Sequence, residues 1–272
     1  MTKALTETAH AKINLALHVR ARRTDGYHEL ETLFAFAHDG DRLSGAHADD
    51  LSLTLSGPHA ACLAGESDNL ILRAARGLQV ATRTRHGAAL HLDKNVPVAA
   101  GLGGGSADAA AALRILAKLW GIDPADPAIM AVARKLGADV PACVQSTTCF
   151  GRGRGDELTP LGDPTLSGTP LLLVNPGIAL STAPVFAGWD GHDRGALDPS
   201  DWRNGRNDLT PSAIALVPEI ADLLVLLASQ PGANFVRMSG SGATCFALFD
   251  TVEASDAAAR KIPFWHMLTL VR

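Results

Sequence analysis

The sequence predicts an α+β protein built from two domains, and three observations carry that expectation. Residues 12–20 alternate between apolar and polar side chains, the signature of a half-buried strand. Glycines at 101, 103, 104 and 105 lead into an unbroken alanine-rich stretch over residues 107–120, which predicts a helix. After Phe150 the composition shifts at Gly151-Arg152-Gly153-Arg154-Gly155, polar and flexible enough to mark a seam. A chain of 272 residues suffices for one large or two modest domains, and the seam predicts 1–153 and 154–272.

The first strand places Ile13, Leu15, Leu17 and Val19 on one face and Lys12, Asn14, Ala16 and His18 on the other. Thr24-Asp25-Gly26 predicts a turn, and residues 33–37 and 51–55 read as further strands of an antiparallel sheet. Ser67-Asp68-Asn69 predicts the cap of a helix that runs to about residue 83. A strand over residues 88–93 leads through Lys94 and Asn95 to the glycine run, whose helix stops at Gly121. Residues 126–136 predict another helix, ending at Gly137. Beyond the seam come a strand at 171–174, a long amphipathic helix over 211–229, and strands at 235–238 and 244–249. Those last two flank Ser239-Gly240-Ser241-Gly242-Ala243, which alone reads as a hairpin turn.

Composition narrows the functional classes. A hydrophobic share of 47% and mean hydropathy of +0.11 describe a soluble globular chain. The formal net charge of −4 and pI near 6.2 argue against a general nucleic-acid or membrane-surface binder, which depends on a basic field. Cys62, Cys143, Cys149 and Cys245 form no Cys-x-x-Cys pair, and the ten histidines show no ligand spacing with them, so no metal site is expected. A reduced cytoplasm is the expected setting. Residues 1–10 lack an apolar core and the longest apolar run, 223–228, is too short for a bilayer, so no export segment or anchor is expected.

The junction at 97–107 is the most informative segment. Missing Cβ atoms at its glycines let a ligand approach the backbone and permit the positive φ values that turn successive N–H groups into one concavity. Ser106 and Asp108 suit a helix start, where unpaired N–H groups and the dipole favour an anion. A flexible connector would read similarly, but a connector rarely abuts so well-formed a helix. The segment lacks the Gly-Lys-Ser/Thr of a Walker loop, and Ser106 stands where a dinucleotide fingerprint needs glycine.

Other residues could carry chemistry. Lys12 and Asn14 project to one strand face, where the ammonium could neutralise a transferring phosphoryl group; a solvated edge lysine is the plainer alternative. Asp139 lies in Gly137-Ala138-Asp139-Val140-Pro141, where proline pushes Val140 extended and the carboxylate either caps or deprotonates a hydroxyl. Tyr27, the chain's one tyrosine, with His28 behind it, suits a flat base or simply packs over a sheet edge. Phe186 could close such a stack or sit in a core.

Taken together, Ala11-Lys12-Ile13-Asn14-Leu15, the Pro-x3-Gly-Leu-Gly/Ser-rich run from Pro97 and the late Gly-Ser-Gly loop resemble the GHMP-superfamily kinases, among them galactokinase, homoserine kinase and mevalonate kinase. Arg23-Thr24-Asp25-Gly26-Tyr27-His28-Glu29-Leu30, with Gly137–Pro141 and Asn175-Pro176-Gly177, is similar to the branch that phosphorylates the 2-hydroxyl of 4-diphosphocytidyl-2-C-methyl-D-erythritol, a step toward isopentenyl diphosphate. The resemblance implies a two-domain GHMP-kinase-like fold: an N-terminal α/β domain with a mixed sheet, a ferredoxin-like α+β C-terminal domain, and an active site in the cleft between them. It implies Lys12 and Asp139 as the catalytic pair. It implies ATP, with Mg2+, at Pro97, Val98, Ala99, Ala100, Gly101, Leu102, Gly103, Gly104, Gly105, Ser106 and Ala107, flanked by Asn69 and Lys94. Asn14, Tyr27, His28, Thr182, Phe186, Ser241 and Gly242 are implied as substrate contacts, with the cytosine between Tyr27 and Phe186. A monomer or weak homodimer with a small-molecule substrate, and neither nucleic-acid nor membrane partner, completes the expectation. The chain departs from the family at His10, commonly proline, and at Ala107, serine in some members. A kinase for another small alcohol, or a silent nucleotide sensor, remains the alternative.

Overall fold

The computed structural model describes residues 4–65, 68–162 and 166–272. They gather into two compact units that are interleaved along the chain. One unit takes the chain up to Ala11, then Asp39–Val98 and Gly103–Ser146; the other takes Lys12–His38, Ala99–Leu102 and Thr147–Arg272. Residues 12–38 and 99–102, well before the expected seam at 153, therefore group with the C-terminal half.

Two long strands supply both units. Strand β1 (Leu5–Arg22) begins seven residues before the alternating segment and pairs with β2 (His28–Ala48). The turn between them forms at Thr24-Asp25-Gly26 as expected, with Gly26 at φ +85° and the Arg23 N–H donating to Tyr27 O at 2.8 Å. In the first unit β3 (Leu51–Ser56) follows, then helix α1 (Leu70–Thr82), capped by Asn69, whose Oδ1 accepts from Ile71 N at 2.9 Å. Ser67, the expected first residue of that cap, lies outside the described residues. Strand β4 (Gly87–Asp93) pairs antiparallel with the far half of β2 and parallel with β3, so the sheet is mixed rather than antiparallel throughout. The intervening α1 makes the parallel pairing possible, since parallel neighbours need a crossover connection.

Helix α2 (Gly104–Trp120) starts three residues earlier than the alanine run suggests and closes at Gly121 with φ +68°. Ala109, Ala110, Ala111, Ala112 and Leu113 are fully buried, which explains the alanines: the helix is enclosed on nearly every side by the same unit. Helices α3 (Pro127–Leu136), capped by Asp126, and α4 (Val140–Gln145) complete it. Val140 is the first helical residue of α4 and not extended; Pro141 sits in the opening turn, where its missing N–H costs nothing.

In the second unit β5 (Cys149–Gly153) and β6 (Glu157–Pro160) pair with each other, and β5 with the near half of β2. The expected flexible seam at 151–155 is thus strand and tight turn, its backbone ordered by Gly155 N donating to Arg152 O at 2.9 Å. A four-stranded antiparallel sheet follows from β7 (Pro170–Asn175), helix α5 (Thr182–Ala187), helices α6 (Thr210–Leu216) and α7 (Glu219–Ala228), strands β8 (Ala233–Met238) and β9 (Cys245–Phe249), helix α8 (Val252–Ala259) and β10 (Trp265–Leu270). Its order, β10-β7-β9-β8, with helices between the first and second and between the third and fourth strands, is the ferredoxin-like arrangement. The expected single helix over 211–229 is two, broken at Val217 and Pro218 because proline cannot continue the ladder. Leu172, Val174, Ile220, Leu223 and Phe249 lie in this unit's core.

Candidate active site

The Lys12 side of β1 is not the solvated face that alternation predicts. Lys12, Asn14 and His18 are 3%, 2% and 2% exposed, so both faces of the strand are buried. Each polar side chain has partners there, as burial demands. Lys12 Nζ donates to Asn14 Oδ1 at 2.9 Å and lies 5.6 Å from the Phe34 ring centroid. Asn14 Nδ2 donates to Thr32 Oγ1 at 2.8 Å, and Thr32 passes its own proton to Ala16 O at 2.7 Å. His18 is held by Gly195 O and by the N–H of Arg206.

Two backbone-rich segments meet on this strand within the second unit. Leu102 O accepts from Lys12 N at 2.9 Å, and Ser239 Oγ donates to Gly101 O at 2.9 Å while accepting from Asn14 N at 3.3 Å. Thr244 N donates to Ala100 O at 3.2 Å. Gly101, at φ +76°, is the one residue that fits: a Cβ there would lie 2.5 Å from Ser239 O and 2.6 Å from Gly242 O. The Ser239–Ala243 segment does join β8 to β9 as a hairpin would, and it is also a wall of this cluster. Asn207, which the sequence did not single out, holds that wall by donating to Met238 O and Gly240 O at 2.9 and 2.8 Å. In Asn175-Pro176-Gly177, Asn175 donates to Thr244 Oγ1 at 2.9 Å and accepts from Gly177 N at 2.8 Å.

An aromatic group belongs to the same unit. The His28 ring lies 5.0 Å from Phe186 and 5.8 Å, edge-on, from Trp189. Burial, with the Arg22 guanidinium nearby, pushes the His28 pKa below its ordinary 6.5, so the ring is neutral at pH 7. His28 Nε2 and Trp189 Nε1 are buried without a hydrogen-bond partner among the described residues. Tyr27 is 52% exposed, and one of its faces carries the Arg154 guanidinium at 4.9 Å. On α5, Thr182 Oγ1 lies 3.1 Å from Ser241 Oγ. Trp189 and Arg154 escaped sequence reading because nothing local marks either as anything but core or surface.

In the first unit the opening of α2 supplies the other candidate contacts. Here Gly103 has a positive φ (+61°), as Ala99 (+53°) and Gly101 (+76°) do in the second unit, while Gly104 and Gly105, expected to share it, are helical. Gly103 is the N-cap, and Ala107 N is bonded back to Gly103 O at 2.8 Å. The N–H groups of Gly104, Gly105 and Ser106 therefore stand outside the helical ladder at its positive end. Ser106 stands in the first turn of the helix, as a helix-start residue should, and Asp108 lies in the second. Ala100, Leu102 and Ala107 bury their side chains, and Val98 stands partly exposed beside Pro97. Lys94 does not extend a free ammonium: it is 2% exposed and ion-paired to Asp41 and Asp108. Asp139 occupies the N-cap position of α4 in helical conformation, yet its carboxylate makes no capping hydrogen bond to that helix.

The bare helix start at Gly103 to Ser106 suits the oxygens of a phosphate, and its donors are backbone amides. Among the described residues no helix is long and apolar enough to cross a membrane.

Known proteins resemble the chain over nearly its whole length. The model for the GHMP kinases N terminal domain matches residues 69–147 and that for GHMP kinases C terminal matches 191–265. A 4-diphosphocytidyl-2-C-methyl-D-erythritol kinase of Rhizorhabdus wittichii is 54% identical over 97% of this chain and 93% of its own length. Another from Parvibaculum lavamentivorans is 48% identical over 95% of this chain and 93% of its own. A crystal structure of 4-(cytidine 5'-diphospho)-2C-methyl-D-erythritol kinase superposes with a TM-score of 0.83 at 33% identity, covering 98% of this chain and 99% of the other. A homoserine kinase from Cytophaga hutchinsonii, at 17% identity and TM-score 0.69 over 100% and 96% of the two chains, shares the fold.

Proposed function

The chain belongs to the 4-diphosphocytidyl-2-C-methyl-D-erythritol kinase family of GHMP kinases, and from that membership we propose that it transfers the γ-phosphoryl group of ATP to the 2-hydroxyl of 4-diphosphocytidyl-2-C-methyl-D-erythritol. That reaction feeds the methylerythritol phosphate route to isopentenyl diphosphate. The observation that supports it best is the Lys12 ammonium, buried on β1 and oriented by Asn14 where the glycine run and the Ser239–Ala243 segment are hydrogen-bonded together.

Asp139 accepts the proton of the substrate hydroxyl as its oxygen bonds to the γ-phosphorus; the bond to the β,γ-bridging oxygen breaks and ADP leaves. Lys12 offsets the charge on the equatorial oxygens. The N–H groups of Gly103, Gly104, Gly105 and Ser106 hold the ATP phosphates, with Pro97, Val98, Ala99, Ala100, Gly101, Leu102 and Ala107 shaping the turn and Asn69 on the nucleoside side. Mg2+ carried in with ATP would offset charge on its phosphates. Tyr27 and Phe186 sandwich the cytosine while the neutral His28 ring reads its polar edge. Asn14, Thr182, Ser241 and Gly242 contact the methylerythritol part. We place the enzyme in the cytoplasm as a monomer or weak homodimer.

A coupled ADP-release assay across the cytidylyl methylerythritol, homoserine, mevalonate and galactose tests this reading. ADP release with the first alone is the expected result. Turnover of another alcohol in its place, or none with any, overturns it in favour of a related kinase or a silent sensor.

A further inference from the structure

Three buried charges meet beneath the start of α2. Lys94, just past β4, donates from Nζ to Asp41 Oδ2 at 2.5 Å and to Asp108 Oδ2 at 2.7 Å, and all three residues are at most 3% exposed. The second oxygen of Asp41 accepts from the N–H groups of Asn95 and Val96 at 2.6 and 2.8 Å. A Cβ on Gly104 would lie 3.1 Å from Lys94 Nζ and 4.0 Å from Asp41 Oδ2, so the ammonium sits directly under the first helical residue. The cluster ties together β2, the turn that leads to the glycine run and the second turn of α2.

Stability alone does not account for this arrangement. Two carboxylates face one ammonium, and Asp108 Oδ1 is buried with no hydrogen-bond partner among the described residues. Burial, with Asp41 alongside, pushes the Asp108 pKa up to about 7 although Lys94 opposes it. Apolar side chains of similar volume hold such an interior at less cost. What the cluster does provide is register. Gly103 offers no capping side chain, and no acidic residue stands in the first turn of α2, so the helix start has no local device to fix it.

We propose that Asp108, acting through Lys94 and Asp41, is a positioning residue for the nucleotide's phosphates: it holds the opening turn of α2 so that the N–H groups of Gly104, Gly105 and Ser106 are set for an anion. The inference rests on the ATP reading above and extends it to residues that touch no ligand. Lys94, expected from the family resemblance to contact ATP, is assigned by it to this support.

The test uses full-length protein with Asp108→Ala and Asp108→Asn, ADP and adenosine as ligands, and steady-state kinetics. Asp108→Ala is expected to weaken ADP binding and raise KM for ATP about tenfold, the lower end of the effect of removing a supporting partner from a ligand site. Adenosine affinity and KM for the cytidylyl substrate stay within about twofold, because neither depends on the helix start. Asp108→Asn keeps an oxygen for Lys94 and restores most of the ADP affinity, a rescue that also serves if the alanine variant fails to fold. Equal losses for ADP and adenosine, unchanged ADP affinity in Asp108→Ala, or an Asp108→Asn protein that folds yet binds ADP about tenfold more weakly, overturns the proposal. Wild-type protein that binds no ADP overturns the ATP reading itself and this inference with it.

Discussion

Lys12 Nζ donates to Asn14 Oδ1 at 2.9 Å, and the orientation of that amide is fixed from behind. Thr32 Oγ1 gives its one proton to Ala16 O, so toward Asn14 it can only accept. Asn14 must turn Nδ2 to Thr32 and Oδ1 to the ammonium. A buried lysine is thereby aimed by a neutral amide on its own strand.

Lys12→Ala and Asp139→Ala should each fold and lose almost all turnover, kcat falling about 10²–10⁴-fold for the loss of the base at Asp139. Lys12→Ala also orphans Asn14 Oδ1, a cost of about 1–3 kcal/mol measurable by urea unfolding. Near-wild-type kcat in either purified variant removes that residue from the mechanism.

Tyr27→Ala separates the two substrates. The side chain is half exposed, so folding should be untouched, while KM for the cytidylyl substrate rises about tenfold or more with the loss of a stacking face. KM for ATP stays put. Equal increases in both would discredit the stack.

His28 gives a pH signature. Its folded pKa lies below 6.5, so between that value and 6.5 the folded ring holds fewer protons than the unfolded one. Its contribution to stability is present above about pH 6.5 and declines as pH falls through the window beneath. KM for the cytidylyl substrate should rise as pH falls with a midpoint below 6.5, and His28→Gln should lack that rise. A midpoint above 7 in the wild-type profile would show a ring that is charged when folded.

Gly101→Ala should be destabilising by about 2–4 kcal/mol in denaturant titration. The residue sits at φ +76°, and a methyl group would enter 2.5 Å from Ser239 O. A variant as stable as wild type would mean that the Gly101 and Ser239 segments are not packed as described.

Local pattern carried much of this molecule. Period-two alternation found β1, glycine and alanine found α2 with its Gly121 stop, and the cap expected at residues 67–69 falls on Asn69. The errors share one physical origin: side-chain pattern is read locally, whereas partners arrive from afar. Lys12 and Asn14 look solvated in sequence and are buried because Ser239 and Thr32, 225 and 18 positions from Asn14, cover that face. Asp108 looks like a helix-start residue and is the partner of Lys94. Asp41, the other partner of Lys94, carries no local signal at all. The break at Val217 and Pro218 is different, since the proline that causes it is itself a local signal.

The interleaving of the two units has a consequence for how the chain is made. Passing Ala11, His38, Val98, Leu102 and Ser146 in turn, the backbone changes unit five times. A ribosome releasing it from the N-terminus has delivered every residue of one unit once Ser146 is out, but the other must wait for Arg272 to receive its last strand. The segment 12–38 emerges well before partners such as Cys149, Asn207 and Ser239 that it pairs with in the finished unit, so apolar side chains such as Ile13 and Phe34 await part of their cover while the chain grows.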